Sequence, residues 1–232
     1  MTNDKDPVGP IAIVVGAAGE LGGATAVKLA ERGMAVVAVD RNETGLAGLP
    51  DGISREVVDV TDPQAVAPMV ERIVHDVGAP DVLVNAIGAF ETADALTTTP
   101  DLLHRMMEVN LGPALWLSQA VAPHMRRSGS GAIVHVSARP GIEPSAGMAA
   151  YSASKAALIH LTRILDVELR PLGIRVNSVA PQLLDTARAR ASLPEEVLAH
   201  AVAPEAIADV VCFLVSDEAA PISGAILPAY GA

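Results

Sequence analysis

The residues best suited to catalysis in this 232-residue chain are Tyr151 and Lys155, which are four positions apart. They follow an apolar run at residues 133–136 that predicts a buried strand, and a loop at 140–144 that contains prolines and a glycine. In an alanine-rich helix this spacing places the phenol and the ammonium on one face, one turn apart. A free tyrosine has a pKa of about 10, and a nearby cation favours the phenolate, so Tyr151 is a candidate general acid or base near neutral pH. The alternative interpretation is a surface tyrosine and lysine on an ordinary helix.

Three glycines, Gly16, Gly19 and Gly22, lie between an apolar strand predicted at residues 11–15 and a helix predicted at 21–32. Glycines let the backbone turn tightly and approach a pyrophosphate, and the start of a helix offers free N–H groups and the positive end of its dipole. A strand before the glycines and a helix after them is the context that a dinucleotide-binding loop requires. A simple turn is the alternative interpretation.

Asp40 ends the second predicted strand, 18 residues beyond Gly22. A carboxylate at this place can accept hydrogen bonds from both hydroxyls of an adenosine ribose and would repel a 2′-phosphate. The neighbouring Arg41 could instead hold that phosphate. We expect NADH to be preferred over NADPH, and the alternative role for Asp40 is a cap at the strand end.

Strands and helices alternate from one end of the sequence to the other, as in a parallel sheet that is covered on both faces. We predict a single α/β domain over residues 1–232, a doubly wound Rossmann fold with seven mostly parallel strands and a flexible tail at 1–9. The predicted strands are residues 11–15, 35–39, 56–60, 81–85, 133–136, 174–179 and 225–227. A long helix is predicted at 99–127, kinked by Pro113.

Composition limits the partners and the location of the protein. Half of the residues are hydrophobic and 19% are charged, so a folded core is expected. The net charge of −11 and the scarcity of aromatic side chains are unfavourable for binding nucleic acid. The single cysteine, Cys212, fits a reducing compartment, and we find no signal peptide and no membrane-spanning apolar run. We therefore expect a cytoplasmic protein with a small-molecule substrate and, because the histidines lack metal-ligand spacing, no bound metal.

Residues 131–155 resemble the short-chain dehydrogenase/reductase family, whose signature is Tyr-x-x-x-Lys after a buried strand that ends in serine. The resemblance extends over essentially the whole chain. It implies an oxidoreductase that moves a hydride from NAD(P)H to a carbonyl, imine or quinonoid small molecule, with Tyr151 as the proton donor. It also implies that Lys155 tunes Tyr151 and holds the nicotinamide ribose, and that the backbone at Asn110 distorts the long helix and binds a relay water. An asparagine that serves only as a structural hydrogen-bonding group is the alternative.

The same resemblance implies the binding residues. The cofactor-binding positions are Gly16, Ala18, Gly19, Glu20, Leu21, Gly22, Asp40, Arg41, Asp59, Val60, Asn85, Ala86, Gly88, Tyr151, Lys155, Leu184 and Thr186. The substrate-binding positions are Ala138, Ser145, Met148 and Gln182. Asp59 and Val60 match the family's adenine pocket, and residues 181–186 match the segment that holds the nicotinamide carboxamide, with Gln182 in place of a glycine.

One departure from the family pattern affects the chemistry. The family places a catalytic serine thirteen positions before the tyrosine, where this chain has Ala138, and the adjacent Ser137 should point to the other face of the strand. Two routes could preserve catalysis: another donor from the loop, with Ser145 the nearest, or a substrate that already accepts a hydride readily, such as a quinonoid ring. A glycine of the family is also replaced by Glu20, which we expect to point away from the phosphates.

Some features resemble one branch of the family, the dihydropteridine reductases. These are Ala138, Met148 before the tyrosine, and the pattern Asp-Thr-x-x-x-Arg-x-x-x-Pro at 185–194. The alternative function is a non-redox protein on the same scaffold, such as a cyclase, an isomerase or a binding protein.

The helix that carries Tyr151 has small or apolar residues on several of its sides, more than one face of a sheet can bury. In this family that helix pairs across a two-fold axis, so we expect a homo-oligomer, either a tetramer or a dimer. Because only 17 positions separate Thr186 from Ala203, the lid over the substrate is short, and we expect an open pocket or help from a neighbouring subunit.

Overall fold

A parallel β-sheet with the strand order β3-β2-β1-β4-β5-β6-β7 forms the centre of the computed structural model, which describes residues 9–231. Its strands are β1 (Ile11–Val15), β2 (Ala35–Asp40), β3 (Ser54–Val57), β4 (Val82–Asn85), β5 (Gly131–Val136), β6 (Ile174–Pro181) and β7 (Ile226–Ala229). The α-helices of the described residues are α1 (Glu20–Glu31), α2 (Glu43–Ala47), α3 (Pro63–Asp76), α4 (Pro100–Asn110), α5 (Gly112–Ser128), α6 (Ala149–Leu169), α7 (Ala187–Ser192), α8 (Glu195–Leu198) and α9 (Pro204–Val215). The expected tail at 1–9 lies outside the described residues except for Gly9, which is exposed.

Both faces of the sheet are covered by helices because its central strands are apolar on both sides. β1, β4 and β5 are buried along their whole length, which is the pattern of strands sandwiched between helices. One core cluster packs α1 and α9 against the sheet, and a second packs α3 and α5 against the opposite face. The predicted doubly wound Rossmann fold is confirmed, with every strand pair parallel.

The direction in which strands are added reverses between β1 and β4. The chain adds β2 and β3 on one side of β1 and then returns to place β4 on the other side. Val15 at the end of β1 pairs with Asn85 at the end of β4, so the loops after these strands leave the same edge of the sheet side by side. In open α/β sheets, ligands bind in the cleft at such a reversal.

β3 lies earlier in the sequence than predicted and ends before Asp59. Among the described strands it is an edge strand that pairs only with β2, and the pairing ends where Asp40 meets Val57. The chain then turns, because the Asp59 carboxylate accepts hydrogen bonds from the N–H and the hydroxyl of Thr61. Asp59 and the buried Val60 therefore lie in the loop after the strand and not within it.

The long helix predicted at 99–127 is two helices, α4 and α5, which meet at Leu111. Pro113 has no N–H to donate. The N–H of Ala114 bonds to the carbonyl of Leu111, three residues back, and not to that of Asn110, its α-helical partner four residues back. The break at this place is thus more complete than the predicted kink. None of the helices in the described part of the chain is long and apolar enough to cross a membrane.

Candidate active site

Tyr151 lies in the first turn of α6, at the carboxyl edge of the sheet. Its ring packs edge-on against Phe90, with the ring centroids 4.9 Å apart and the ring planes at 88°. Lys155, one turn further along the helix, is buried, and its Nζ donates a hydrogen bond to the carbonyl oxygen of Val136 at 3.0 Å. The two residues predicted to do the chemistry therefore lie beside the end of β5.

Burial, rather than the neighbouring ammonium, sets the acidity of this pair. Burial raises the pKa of Tyr151 to about 12 and lowers the pKa of Lys155 to about 8, because a low-dielectric environment disfavours both charged forms. The expected lowering of the Tyr151 pKa is wrong in its net direction, because burial sets the shift while the Lys155 ammonium donates to Val136. At neutral pH Tyr151 keeps its proton and is held as an acid.

Gly88 is the point at which Lys155 and Asn110 come together. A Cβ atom added to Gly88 would lie 3.1 Å from Nζ of Lys155 and 3.2 Å from Oδ1 of Asn110, so a side chain at this position would crowd both. The Asn110 side chain accepts a hydrogen bond from the N–H of Ala89 (2.8 Å) and donates to the Ala89 carbonyl (3.0 Å) and the Ser154 hydroxyl (2.9 Å). It ties the loop after β4 to α6, which is the structural role, and the water relay stays a prediction.

The glycine loop after β1 is packed too closely for side chains at two of its glycines. Gly16 has a φ of +82°, and a Cβ there would lie 2.9 Å from the backbone of Ala86. A Cβ on Gly22 would lie 2.1 Å from the carbonyl oxygen of Gly16. Gly19 precedes α1, and among the described residues no side chain caps this helix. The first N–H groups of α1 can therefore face a ligand. The side chain of Leu21, in the same turn, is buried. This cradle fits the pyrophosphate of a dinucleotide.

Asn85 and Ala86 form the neighbouring wall of the cleft. The buried Asn85 accepts a hydrogen bond through Oδ1 from the N–H of Ile87 (3.2 Å), and the N–H of Ala86 donates to the carbonyl of Val15 (2.9 Å). These bonds hold the loop after β4 against the end of β1. The altered family motif at this place therefore still closes the floor of the cleft.

The Asp40 carboxylate faces the glycine loop. Its Oδ2 accepts a hydrogen bond from the N–H of Ala18 (3.2 Å), and its Oδ1 accepts one from the N–H of Asn42 (2.9 Å). The guanidinium of Arg41 pairs instead with Asp59, at 3.2 Å. Asp40 thus caps the strand end, as the alternative interpretation requires, and a carboxylate has further lone pairs for ribose hydroxyls.

Glu20 reaches the lid. Its Oε1 accepts a hydrogen bond from the backbone N–H of Ala187 (2.8 Å), the first residue of α7. Thr186 caps the same helix, because its Oγ1 accepts from the N–H of Ala189 (3.2 Å). Among residues 9–231 no acceptor is found for its hydroxyl proton, which it can donate to a ligand. Leu184 forms a backbone bridge within the lid. The residue that replaces a glycine of the family therefore connects the glycine loop to the lid.

Ala138 is buried directly after β5, at the place where the family has a serine. Ser137 does not substitute for that serine, since its hydroxyl donates to the carbonyl of Val179 (3.2 Å). Arg139, which follows Ala138, is not singled out by the sequence pattern. In the structure, Nη1 of Arg139 donates to Oε1 of Gln182 at 2.8 Å. Two departures from the family pattern, at positions 138 and 182, are therefore linked through the side chain of Arg139.

The other two predicted substrate contacts, Ser145 and Met148, are half-buried in the loop before α6. Phe90 and Arg139 are residues near the site that sequence reasoning missed. An available signal for Phe90 was its rarity, because the chain has two phenylalanines and this one lies two residues after the predicted cofactor residue Gly88. For Arg139 the only signal was its place beside Ala138. Within residues 9–231, no group of acidic, histidine or cysteine side chains is arranged to hold a metal ion.

Comparisons with known proteins show which proteins the chain is similar to. A family profile described as short chain dehydrogenase matches residues 10–197. The 3-oxoacyl-(acyl-carrier-protein) reductase FabG of Thermotoga maritima is 33% identical over 235 residues, which covers 94% of this chain and 95% of the relative. The cis-4-hydroxycyclohexanecarboxylate dehydrogenase of Sinomonas cyclohexanicum is 38% identical over 237 residues and covers 95% of each chain. A solved structure of NAD⁺-bound xylitol dehydrogenase, 29% identical, has a TM-score of 0.88 and covers 98% of this chain and 100% of that chain.

Proposed function

Because the chain belongs to the short-chain dehydrogenase/reductase family, we propose that it reduces a small carbonyl, imine or quinonoid compound, with Tyr151 as the proton donor. The observation that carries this proposal is the position of Tyr151 and Lys155 on α6. Lys155, one helical turn from Tyr151, lies beside Gly88 in the loop after β4, and β4 pairs with the strand that precedes the glycine loop. A proton donor next to a dinucleotide cradle is the arrangement that a nicotinamide-dependent reductase needs.

The chain's own residues supply the cofactor site. The N–H groups at the start of α1 suit a pyrophosphate, and Asp40 suits the adenosine ribose. Lys155 and Thr186 are the residues that we assign to the nicotinamide end. When it is bound, the reduced nicotinamide supplies the hydride of the reaction.

Tyr151 supplies the proton. Its pKa of about 12 keeps the phenol protonated at neutral pH, so Oη can donate to the substrate oxygen. The phenolate left behind is stabilised by the positive charge of Lys155, which is mostly protonated at pH 7 because its pKa is about 8. Ala138 offers no hydrogen bond to the same oxygen, and we infer that this makes the active site atypical for the family.

We infer a preference for NADH from Asp40 and Arg41. A carboxylate that faces the glycine loop would repel a 2′-phosphate, and the one cation next to it in sequence is already paired with Asp59. This pairing lowers the positive charge available to NADPH.

For the substrate, we favour conjugated or quinonoid acceptors over plain ketones. Reduction of a quinonoid ring restores aromaticity, so less help is needed from hydrogen-bond donors, which suits a site with Ala138. Phe90 is 45% exposed beside Tyr151 and offers an aromatic surface to a planar ring. The names of the relatives given above refer to other substrates. We use the resemblance to dihydropteridine reductases as a guide to the mechanism.

We also propose that the protein is a cytoplasmic homo-oligomer, a tetramer or a dimer. α6 exposes Ile164 (41%) and Val167 (70%), which is an apolar surface that a second copy would cover. Sedimentation at micromolar concentration measures this directly, and a monomer would contradict it.

The experiment that tests the function is a screen of carbonyl, imine and quinonoid compounds with the purified protein and either NADH or NADPH, followed by nicotinamide absorbance. We expect turnover with at least one class and its loss in Tyr151→Phe. A cofactor that binds without turnover on any class would contradict the reductase and favour a non-redox protein.

A further inference from the structure

Two departures from the family pattern, Ala138 and Gln182, are linked through Arg139, the residue that follows Ala138. Ala138 follows β5, and Gln182 follows β6, the strand paired with β5 up to Val136 and Val179. Between them, Nη1 of Arg139 donates to Oε1 of Gln182 at 2.8 Å. The loss of a hydroxyl at position 138 and the gain of an amide at position 182 therefore follow the ends of two paired strands.

This hydrogen bond fixes which end of the Gln182 amide is free. A guanidinium has only donors, so the atom that it meets must be the amide oxygen. The amide nitrogen, with its two N–H donors, is then turned away from Arg139. No hydrogen bond from that nitrogen is found among residues 9–231.

Arg139 is itself held on two further sides. Its Nε donates to Oε2 of Glu143 at 2.8 Å, and its Nη2 forms an ion pair with the same oxygen at 2.8 Å. The guanidinium also lies over the ring of Tyr230, 4.8 Å from the ring centroid. Because Arg139 is held in this way, the Gln182 amide needs little reorganisation free energy to stabilise charge that develops nearby. Gln182 is thus better positioned than Ser145, for which no comparable support is found in the described loop.

We propose that the Gln182 amide nitrogen, oriented by Arg139, donates to the reacting substrate oxygen the hydrogen bond that Ala138 cannot. Gln182 is then a catalytic residue and Arg139 a positioning residue. The inference rests on the proposed reductase function. Gln182 transfers neither a proton nor electrons; it only stabilises negative charge on the oxygen that receives the proton of Tyr151.

The test is a comparison of Gln182→Met with the wild type on two acceptors, cyclohexanone and a p-benzoquinone. Methionine keeps the length of the side chain and removes the donors. Because charge builds up more on a ketone oxygen, we expect kcat on cyclohexanone to fall about 10²–10³-fold, with a smaller loss on the quinone. The dissociation constant of NADH, measured by its fluorescence, should not change.

Rescue separates a donor from a merely structural residue. Adding Ala138→Ser to Gln182→Met should restore most of the ketone rate, because the hydroxyl takes over the same hydrogen bond. Arg139→Met should lower kcat on the ketone with little change in KM, and Arg139→Lys, which can still donate to Oε1, should recover part of it. Gln64→Met, on the exposed surface of α3, is the matched control and should behave as the wild type.

Each other outcome overturns the inference. These are equal losses on both acceptors, no rescue by Ala138→Ser, or a ketone rate that depends on Ser145→Ala and not on Gln182→Met. A wild type that reduces the quinone but not the ketone also overturns it, because no second donor would then be acting. If the wild type binds NADH but reduces neither class, nor any imine, the reductase function itself fails, and this result is distinct from a loss confined to Gln182→Met.

Discussion

The carboxylate of Glu20 accepts a hydrogen bond from the backbone N–H of Ala187 at 2.8 Å, across 167 positions of sequence. One partner begins α1 and the other begins α7, so this single bond connects the glycine loop to the lid. α7 is short. Within the described residues, the side chains that accept hydrogen bonds from N–H groups in its first turn are those of Glu20 and Thr186.

We expect Glu20→Ala to release the lid and speed the dissociation of NADH. One hydrogen bond has a net value of about 0.5–1.5 kcal/mol, so the dissociation constant should rise about 2- to 10-fold. Glu20→Gln keeps the acceptor and removes the negative charge near the phosphates, and it should bind NADH at least as tightly as the wild type. Stopped-flow fluorescence of bound NADH measures both; similar effects of the two variants would mean that charge, not the hydrogen bond, matters.

The fold was predictable because its signals are local. β1 is a continuous apolar run, and β5 is apolar or small except for His135. The glycine loop lies between a strand and a helix, and Pro113 marks a helix break two residues from Leu111. Such signals require no knowledge of distant neighbours. The end of β3 was misplaced because an edge strand with exposed residues has no apolar run to define it.

The candidate site was only partly predictable, since its finer properties depend on contacts between distant residues. Arg139 and Gln182 are 43 positions apart, and no local sequence pattern around either residue predicts the hydrogen bond between them. The acidity of Tyr151 depends on how deeply it is buried and on where the ammonium of Lys155 points. The spacing of the two residues predicted their proximity but gave the wrong sign for the pKa shift.

Asp40→Ser should narrow the preference for NADH over NADPH. The substitution removes the charge that opposes a 2′-phosphate, and Arg41 can then exchange Asp59 for the phosphate. The measurement is the ratio of kcat/KM for the two cofactors with one acceptor. A wild type that already uses both cofactors equally well would contradict the role given to Asp40.

Tyr151→Phe should reduce turnover about 10²–10⁴-fold, the usual contribution of a general acid. Phenylalanine keeps the ring and its edge-on contact with Phe90, so the fold and the binding of NADH should be nearly unchanged. Steady-state rates, NADH fluorescence and a thermal melt distinguish these effects. Full activity in this variant would place the proton donor elsewhere.

The rate of reduction should be nearly constant from pH 6 to about pH 7.5 and should fall above about pH 8. Tyr151 keeps its proton throughout this range because its pKa is about 12. Lys155, with a pKa lowered to about 8 by burial, loses its charge first and with it the stabilisation of the phenolate.

The pH profile of kcat in Lys155→Arg provides the check. A guanidinium stays protonated across this range, so the alkaline fall should disappear even if the absolute rate is lower. An alkaline fall at the same pH in this variant would assign the titration to another group.

Asn110 and Ser154 should be coupled in stability. The Asn110 amide is buried and donates to the Ser154 hydroxyl, which in turn donates to the backbone carbonyl of Tyr151 at 2.7 Å. Asn110→Ala removes these bonds and those to Ala89, and because it leaves buried partners unsatisfied we expect it to lower the free energy of unfolding by about 1–3 kcal/mol.

Urea denaturation of Asn110→Ala, Ser154→Ala and the double variant measures the coupling. Since both residues act through one chain of hydrogen bonds, the losses of the single variants should not add, and the difference should be about 0.5–3 kcal/mol. Activity should fall with stability, because this chain fixes the turn of α6 that carries Tyr151. Strict additivity would show that Asn110 acts through Ala89 alone, and the connection from the loop after β4 to the proton donor would then have to run through Lys155 and Gly88.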